Sequence, residues 1–232
     1  MNLDACLQRQ DIWRGKKALP ADSAVATGFA ALDNCLPGKG WPRGALTEIL
    51  VENIKRSPLW LILPALSRVL NSRPWQAWIA PPALPYPPGL THNGLDVSKI
   101  IIIEPENQAD ILWSAEQSLR SNACSAVIFW SDHLKAAPMR RLQLAAESGN
   151  TLGICFQGDE ALRHHSLATL RIRCKETASG LKIDLLKCRG GPLYQNISIA
   201  PDSSTSDALT TFSRNRIAGL IPLSRSDQAM SG

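Results

Sequence analysis

Few residues of this chain could carry chemistry, and those few are poorly grouped. Ser131-Asp132-His133 holds the three residue types of a nucleophilic triad, but consecutive side chains do not converge as a triad requires. His164-His165 could begin a metal site, yet with no third ligand nearby the pair reads as surface neighbours. The six cysteines, Cys6, Cys35, Cys124, Cys155, Cys174 and Cys188, form no CxxC pair and no Cys/His cluster. They read as reduced thiols buried in a cytoplasmic protein. No catalytic residue, metal or cofactor is expected from these groups.

The remaining signals concern surfaces. Between residues 163 and 191, seven basic residues (Arg163, Arg171, Arg173, Lys175, Lys182, Lys187, Arg189) face two acidic ones, which equals the whole-chain net charge of +5. One local basic surface results, able to attract phosphate backbones or simply to keep a face solvated. Seven tryptophans are present, at 13, 41, 60, 75, 78, 113 and 130. Stacking on single-stranded bases is one use for such rings. Trp75, Trp78 and Trp130 fall in or beside expected strands and Trp60 and Trp113 on helices, so these five are assigned to core packing. Trp13 and Trp41 are left as surface or interface candidates.

The elements that must position these residues follow from periodicity. With 232 residues, 44% hydrophobic and 19% charged, the chain reads as one large soluble domain with appendages. Asp4, Gln8, Arg9, Gln10 and Asp11 break any apolar leader, and Leu59–Leu66 is far short of the ~20 residues of a bilayer span. A cytoplasmic location without membrane contact is expected. Glycines 38, 40 and 44 with prolines 37 and 42 predict an ordered turn into a strand at Ala45–Val51. Pro58–Leu70 predicts a buried helix kinked at Pro64. Strands follow at Trp75–Ala80, Ile100–Glu104 (β-branched, hence buried), Ala126–Trp130 and Thr151–Phe156, with a proline-rich loop at 81–88. Helices follow Asn107 as a cap, with apolar face Ile111, Leu112, Ala115 and Leu119, and at Met139–Ser148, ended by Gly149. This alternation predicts an α/β fold with a mainly parallel sheet flanked by helices. Leu170–Cys174 and Leu181–Leu186 alternate apolar with polar around a turn, giving a C-terminal antiparallel β-hairpin with one wet, basic face.

The order of elements from about Ala26 to Ala200 resembles the RecA core. Thr27–Asp33, Gly40-Trp-Pro-Arg-Gly44-Ala-Leu-Thr-Glu48-Ile49, Ala83-Leu84 with Gly94-Leu95-Asp96, and Leu185-Leu-Lys187-Cys-Arg189 carry that resemblance. With Trp13-Arg14-Gly15, Trp78-Ile-Ala-Pro-Pro82, Leu142-Gln-Leu-Ala-Ala146 and Leu185–Pro192, the chain resembles the ImuA family of translesion-synthesis accessory proteins. The resemblance implies a RecA-like fold and a scaffolding role in SOS-induced mutagenesis. Its implied partners are an inactive Y-family polymerase homologue (ImuB) and an error-prone C-family polymerase, with RecA as a further partner if Lys187 and Arg189 face a neighbouring subunit. Lys187 and Arg189 match basic positions that in recombinases face the adjacent protomer's nucleotide, and otherwise read as charges of a solvated hairpin.

Three departures remove ATPase chemistry. A phosphate-binding loop needs glycines, a Lys and a Ser/Thr; the corresponding stretch is Val51-Glu52-Asn53-Ile54-Lys55-Arg56-Ser57-Pro58, without a glycine. Pro81-Pro82 stands where a water-activating Glu belongs, and Asp132 is one residue late for a magnesium-organising Asp. The expected organisation is a leader at 1–22, a degenerate RecA-like core at 23–200 and a flexible tail at 201–232. Expected contact residues are Trp13, the hairpin's Arg171, Arg173 and Lys175, then Lys187 and Arg189, and in the tail Phe212, Ile217, Leu220, Ile221 and Leu223. Two other functions remain open: a DNA-binding module using the basic hairpin, and a SulA-like cell-division inhibitor.

Overall fold

A computed structural model describes residues 23–69, 73–132, 134–201 and 220–221. Its centre is one eight-stranded sheet built from β1 (Ala45–Val51), β2 (Trp75–Ile79), β3 (Ile100–Ile103), β4 (Cys124–Trp130), β5 (Leu152–Gly158), β6 (Leu170–Thr177), β7 (Gly180–Cys188) and β8 (Ile197–Ile199). The spatial order is β8-β7-β6-β1-β5-β4-β2-β3. β6 through β3 in that order run parallel, and β7 and β8 add antiparallel. Every residue of β1 and β4 is buried, as expected of strands covered on both faces. The α-helices are α1 (Ala30–Asp33), α2 (Leu63–Val69), α3 (Pro87–His92), α4 (Gln108–Arg120) and α5 (Ala136–Gly149).

The two sheet faces carry separate cores. One gathers Ile49, Trp78, Ile128, Trp130, Phe156 and Ile172 with α2 residues such as Leu66. The other gathers Leu46, Ala77, Val127, Phe129 and Cys155 with Ala115 and Leu119 of α4 and Leu142 and Ala145 of α5. Helices on both faces of a mostly parallel sheet agree with the expected α/β class, and β6–β7 is the expected hairpin. Asn107 Oδ1 accepts from the Asp110 N–H at 3.0 Å, capping α4 as its sequence foretold.

Several local expectations require correction. No helix starts at Pro58: two 3₁₀ turns, Ile54–Arg56 and Leu59–Leu61, precede α2. Pro64 lies in the first turn of α2, where its missing N–H has no partner to lose, so it begins the helix rather than kinking it. The proline-rich loop holds a two-residue strand, Leu84–Pro85, and α3, with Pro87 and Pro88 in its first turn. Gly149 is the last helical residue, not the stop; Asn150, at φ 46°, takes the left-handed cap. A Cβ on Gly149 would stand 1.9 Å from the Leu119 carbonyl oxygen, so close helix packing is what demands glycine there. β3 is an edge strand and not fully buried: Ile101 is 42% exposed. Tryptophan assignments also shift. Trp41 is buried rather than superficial, whereas Trp113 is 61% exposed and Trp75 lies partly open at the start of β2.

Leu220–Ile221 forms a short strand pairing antiparallel with Leu84–Pro85. Trp13, Phe212, Ile217 and Leu223 lie outside the described residues.

Candidate functional site

The carboxyl end of β1 is where a parallel α/β sheet ordinarily presents its ligand loop. Here the strand leads from Val51 into a 3₁₀ turn whose polar groups satisfy one another. Asn53 Oδ1 accepts from the Lys55 N–H at 3.0 Å. Ser57 Oγ donates to the Ile54 carbonyl at 2.6 Å and accepts from the Trp130 indole N–H at 3.0 Å. The first α-helix after β1 begins only at Leu63, so no helix N-terminus meets the strand end to receive an anion. Lys55 and Arg56 are exposed. A cleft of about 100 Å³ remains, lined among others by Glu52, Asn53, Arg56 and Glu176. Ligand pockets run to roughly 300–1,000 Å³, and two carboxylates in the wall repel phosphate. Ser131, at the end of β4, accepts a hydrogen bond from Gln108 Nε2 at 2.7 Å, and Asp132 beside it is exposed.

A buried charge network lies three residues before the end of β1, unforeseen from the sequence. Glu48 (β1) is 1% exposed and Arg171 (β6) 8%. Arg171 Nε stands 2.8 Å from Glu48 Oε2, within ion-pair range though out of line for a hydrogen bond. Gln157 Nε2 of β5 donates to Glu48 Oε1 at 2.7 Å. Arg171 also donates to the carbonyls of Ala161 (2.6 Å) and His164 (2.9 Å), tying the 159–168 connection to the sheet. Burial raises the Glu48 carboxyl above its ordinary range, outweighing hydrogen bonding by Ser166 and the attraction of Arg171. One signal was available: Glu48 is the one charged residue of an otherwise uncharged strand.

The hairpin's basic face is thus partly neutralised, while Arg163 and Lys182 stay exposed. Arg171 is no surface contact residue, because its guanidinium is consumed inside the fold. Arg173 pairs with Asp159, and Lys175 with Asp184 at 2.9 Å. Lys187 donates to the Ser166 carbonyl at 2.8 Å, and partial burial lowers its ammonium pKa. Arg189 remains mostly exposed, 3.9 Å from Glu147. Lys187 and Arg189 are held at one end of β7, beyond a register shift between Leu185 and Lys187. A duplex binding this face would release few counterions. Fluorescence anisotropy with a 30-mer duplex between 50 and 200 mM salt is expected to give a log–log slope no steeper than about −3, as the exposed Arg163, Lys182 and Arg189 allow; a slope near −6 would restore the DNA-binding reading.

Among the described residues, no three His, Cys, Asp or Glu side chains group as a metal site, and no helix is long and apolar enough to cross a membrane. The described cysteines are free. Burial pushes the Cys155 and Cys174 thiols up, which leaves them poor nucleophiles.

Comparison with known proteins gives two kinds of relative. Residues 44–153 match the family model for the cell division inhibitor SulA. Protein ImuA of Caulobacter vibrioides (strain NA1000 / CB15N) is 26% identical over 194 residues, covering 72% of this chain and 79% of that protein. A solved SulA structure from Pseudomonas aeruginosa aligns with a TM-score of 0.41 at 24% identity, covering 48% of this chain and 97% of that one. The cell division inhibitor SulA of Edwardsiella piscicida is 31% identical over 120 residues, covering 51% of this chain and 71% of that protein. At that identity and coverage, this chain belongs to the SulA family.

Proposed function

We propose that the chain is a non-catalytic adaptor of the SOS response, with a RecA-like core that has lost its phosphate loop. The observation that carries the reading is the carboxyl end of β1: its polar groups bond to each other and to Trp130, and no helix N-terminus or glycine cradle is left for a nucleotide. A fold without a reactive site acts through its surfaces. The match to Protein ImuA supports the translesion form of this role, because it covers 72% of the chain against 51% for the Edwardsiella SulA. In that form the partners are an inactive Y-family polymerase homologue, an error-prone C-family polymerase and RecA. The tail beyond residue 201 makes the contact.

The test is a pull-down from damage-induced cells, using the whole chain and a form truncated at Ser203, read by mass spectrometry. The whole chain is expected to recover one or more of those polymerases or RecA, and the truncated form to lose them. Equal recovery by both forms would remove the tail from the interface, and recovery of none would remove the translesion role.

Membership of the SulA family supports a second reading, inhibition of cell division. It predicts that expression without DNA damage blocks division and gives filamentous cells, and that the chain binds the tubulin-like division protein. Cells that divide normally under strong expression exclude it.

A further inference from the structure

Trp113 of α4 is 61% exposed and Leu144 of α5 is 52% exposed. One exposed apolar side chain is ordinary, but a tryptophan and a leucine flanking the same helix–helix seam are not. α4 joins β3 to β4 and α5 joins β4 to β5, all parallel strands, so the two helices run parallel to each other. They pack together, and Glu116 of α4 marks the seam. It is 7% exposed and pairs with Arg120 at 2.8 Å and with Arg141 of α5. Trp113 stands three residues before Glu116 and Leu144 three after Arg141, spacings that keep each on the seam side of its helix. The two lie on opposite sides of the bridge, roughly 9 Å apart along the axes and 8–10 Å across, so roughly 13 Å in all. Ala109 and Ala137, both exposed, continue the same two rows and leave room beside the indole.

We propose that this seam is a docking groove for one amphipathic helix of a partner protein, apolar where it meets Trp113 and Leu144 and acidic along its flanks. The proposal rests on the adaptor reading, to which it adds a contact surface within the folded core. Two anchors at i and i+7 or i+8 of a helix stand roughly 11–12 Å apart, close to the Trp113–Leu144 span. Charge selects the occupant. The Arg120 and Arg141 side chains, at 53% and 66% exposed, still present donors outward, and Arg140 beside them is exposed. The remaining acids of the two helices are engaged elsewhere: Asp110 accepts from Asn107 Nδ2 at 2.8 Å, and Glu147 from Gln143 Nε2 at 2.9 Å. A second copy would set arginines against arginines. A nucleic acid would meet an apolar centre and two guanidiniums already paired with Glu116. An acidic helix gains from both, since tryptophan and arginine are the side chains that most often dominate a protein interface.

The probe is a labelled helical peptide of about 18 residues, with leucine and phenylalanine two turns apart and glutamates on both flanks; a counterpart carries lysines instead. Fluorescence anisotropy with the full chain is expected to give dissociation at about 1–50 µM for the acidic peptide, and binding weaker by about tenfold or more for the lysine one. Trp113→Ala and Leu144→Glu, both at exposed positions, are expected to weaken the acidic peptide by about tenfold or more with unchanged unfolding midpoints. Arg140→Glu is expected to weaken it about threefold. An acidic peptide that does not bind below about 200 µM, or that binds these variants as it binds the wild type, would overturn the proposal. So would a different occupant: a 30-mer duplex that displaces the peptide, dimers that Leu144→Glu dissolves, or a chain truncated at Ser203 that binds about tenfold tighter because its own tail had filled the groove. None of these results bears on recovery of the polymerases, so the adaptor reading stands or falls by its own pull-down.

Discussion

Arg171→Met is expected to lower the stability of the fold by about 3–5 kcal/mol, the effect of breaking a buried ion pair from one side. The substitution leaves Glu48 1% exposed and without its ion-pair partner, answered by the neutral Gln157 and Ser166 and by the charge of Lys187. It also orphans the Ala161 and His164 carbonyls, so the connection after β5 loses its tie to the sheet. Pairing it with Glu48→Leu removes both charges, and the double variant is expected within about 2 kcal/mol of the wild type. Urea denaturation of the four proteins gives the coupling directly. A single variant costing under about 1 kcal/mol would mean that water reaches the pair in solution.

Glu48 also gives the pair a pH signature. Its carboxyl is raised in the fold above the ordinary value of 4.5, with burial as the main cause. The folded state therefore holds this proton more tightly than the unfolded state. Its contribution is fully present below about 4.5 and is lost as pH climbs through the raised folded value. Glu48→Gln removes that slope. The stability difference between Glu48→Gln and wild type is expected to move in favour of the variant as pH rises above 4.5. Urea midpoints at successive pH values check the sign, and a difference flat with pH would contradict it.

Trp130→Ala is expected to cost about 3–5 kcal/mol, the usual range for deleting a buried aromatic ring. Trp130 is 3% exposed, stacks on Phe156 at 5.4 Å and leans on Trp78 at 6.3 Å. Its N–H also holds the 51–58 segment, through Ser57. Trp130→Phe keeps most of the ring contact and loses that bond, at about 1–2 kcal/mol. Both variants are expected to expose the 51–58 segment to limited proteolysis, with Trp130→Ala cut faster. Cleavage elsewhere, with 51–58 intact, would show that Ser57 and Trp130 do not anchor it.

Composition and periodicity determined the broad form of this protein. The apolar run Ala126–Trp130 and the β-rich stretch Ala45–Val51 after its glycine turn read as strands, and alternation with amphipathic helices implied the parallel sheet. The absence of a glycine cradle at 51–58 was equally legible, because a phosphate loop needs glycines and a Gly-Lys-Ser/Thr that this stretch does not hold. Pairings between distant strands were not legible, since they depend on register across the sheet. Arg171 reads as a basic residue of an alternating hairpin, and only the alignment of β6 with β1 places it opposite Glu48. The Asp159 and Asp184 partners of Arg173 and Lys175 were hidden for the same reason. Ile100–Ile103 likewise reads as buried because it is β-branched and apolar. Its exposure was decided by strand order, which put it last in the sheet with no neighbour beyond it among the described residues. Local sequence sets what each strand is, while the order of the strands sets what each one touches.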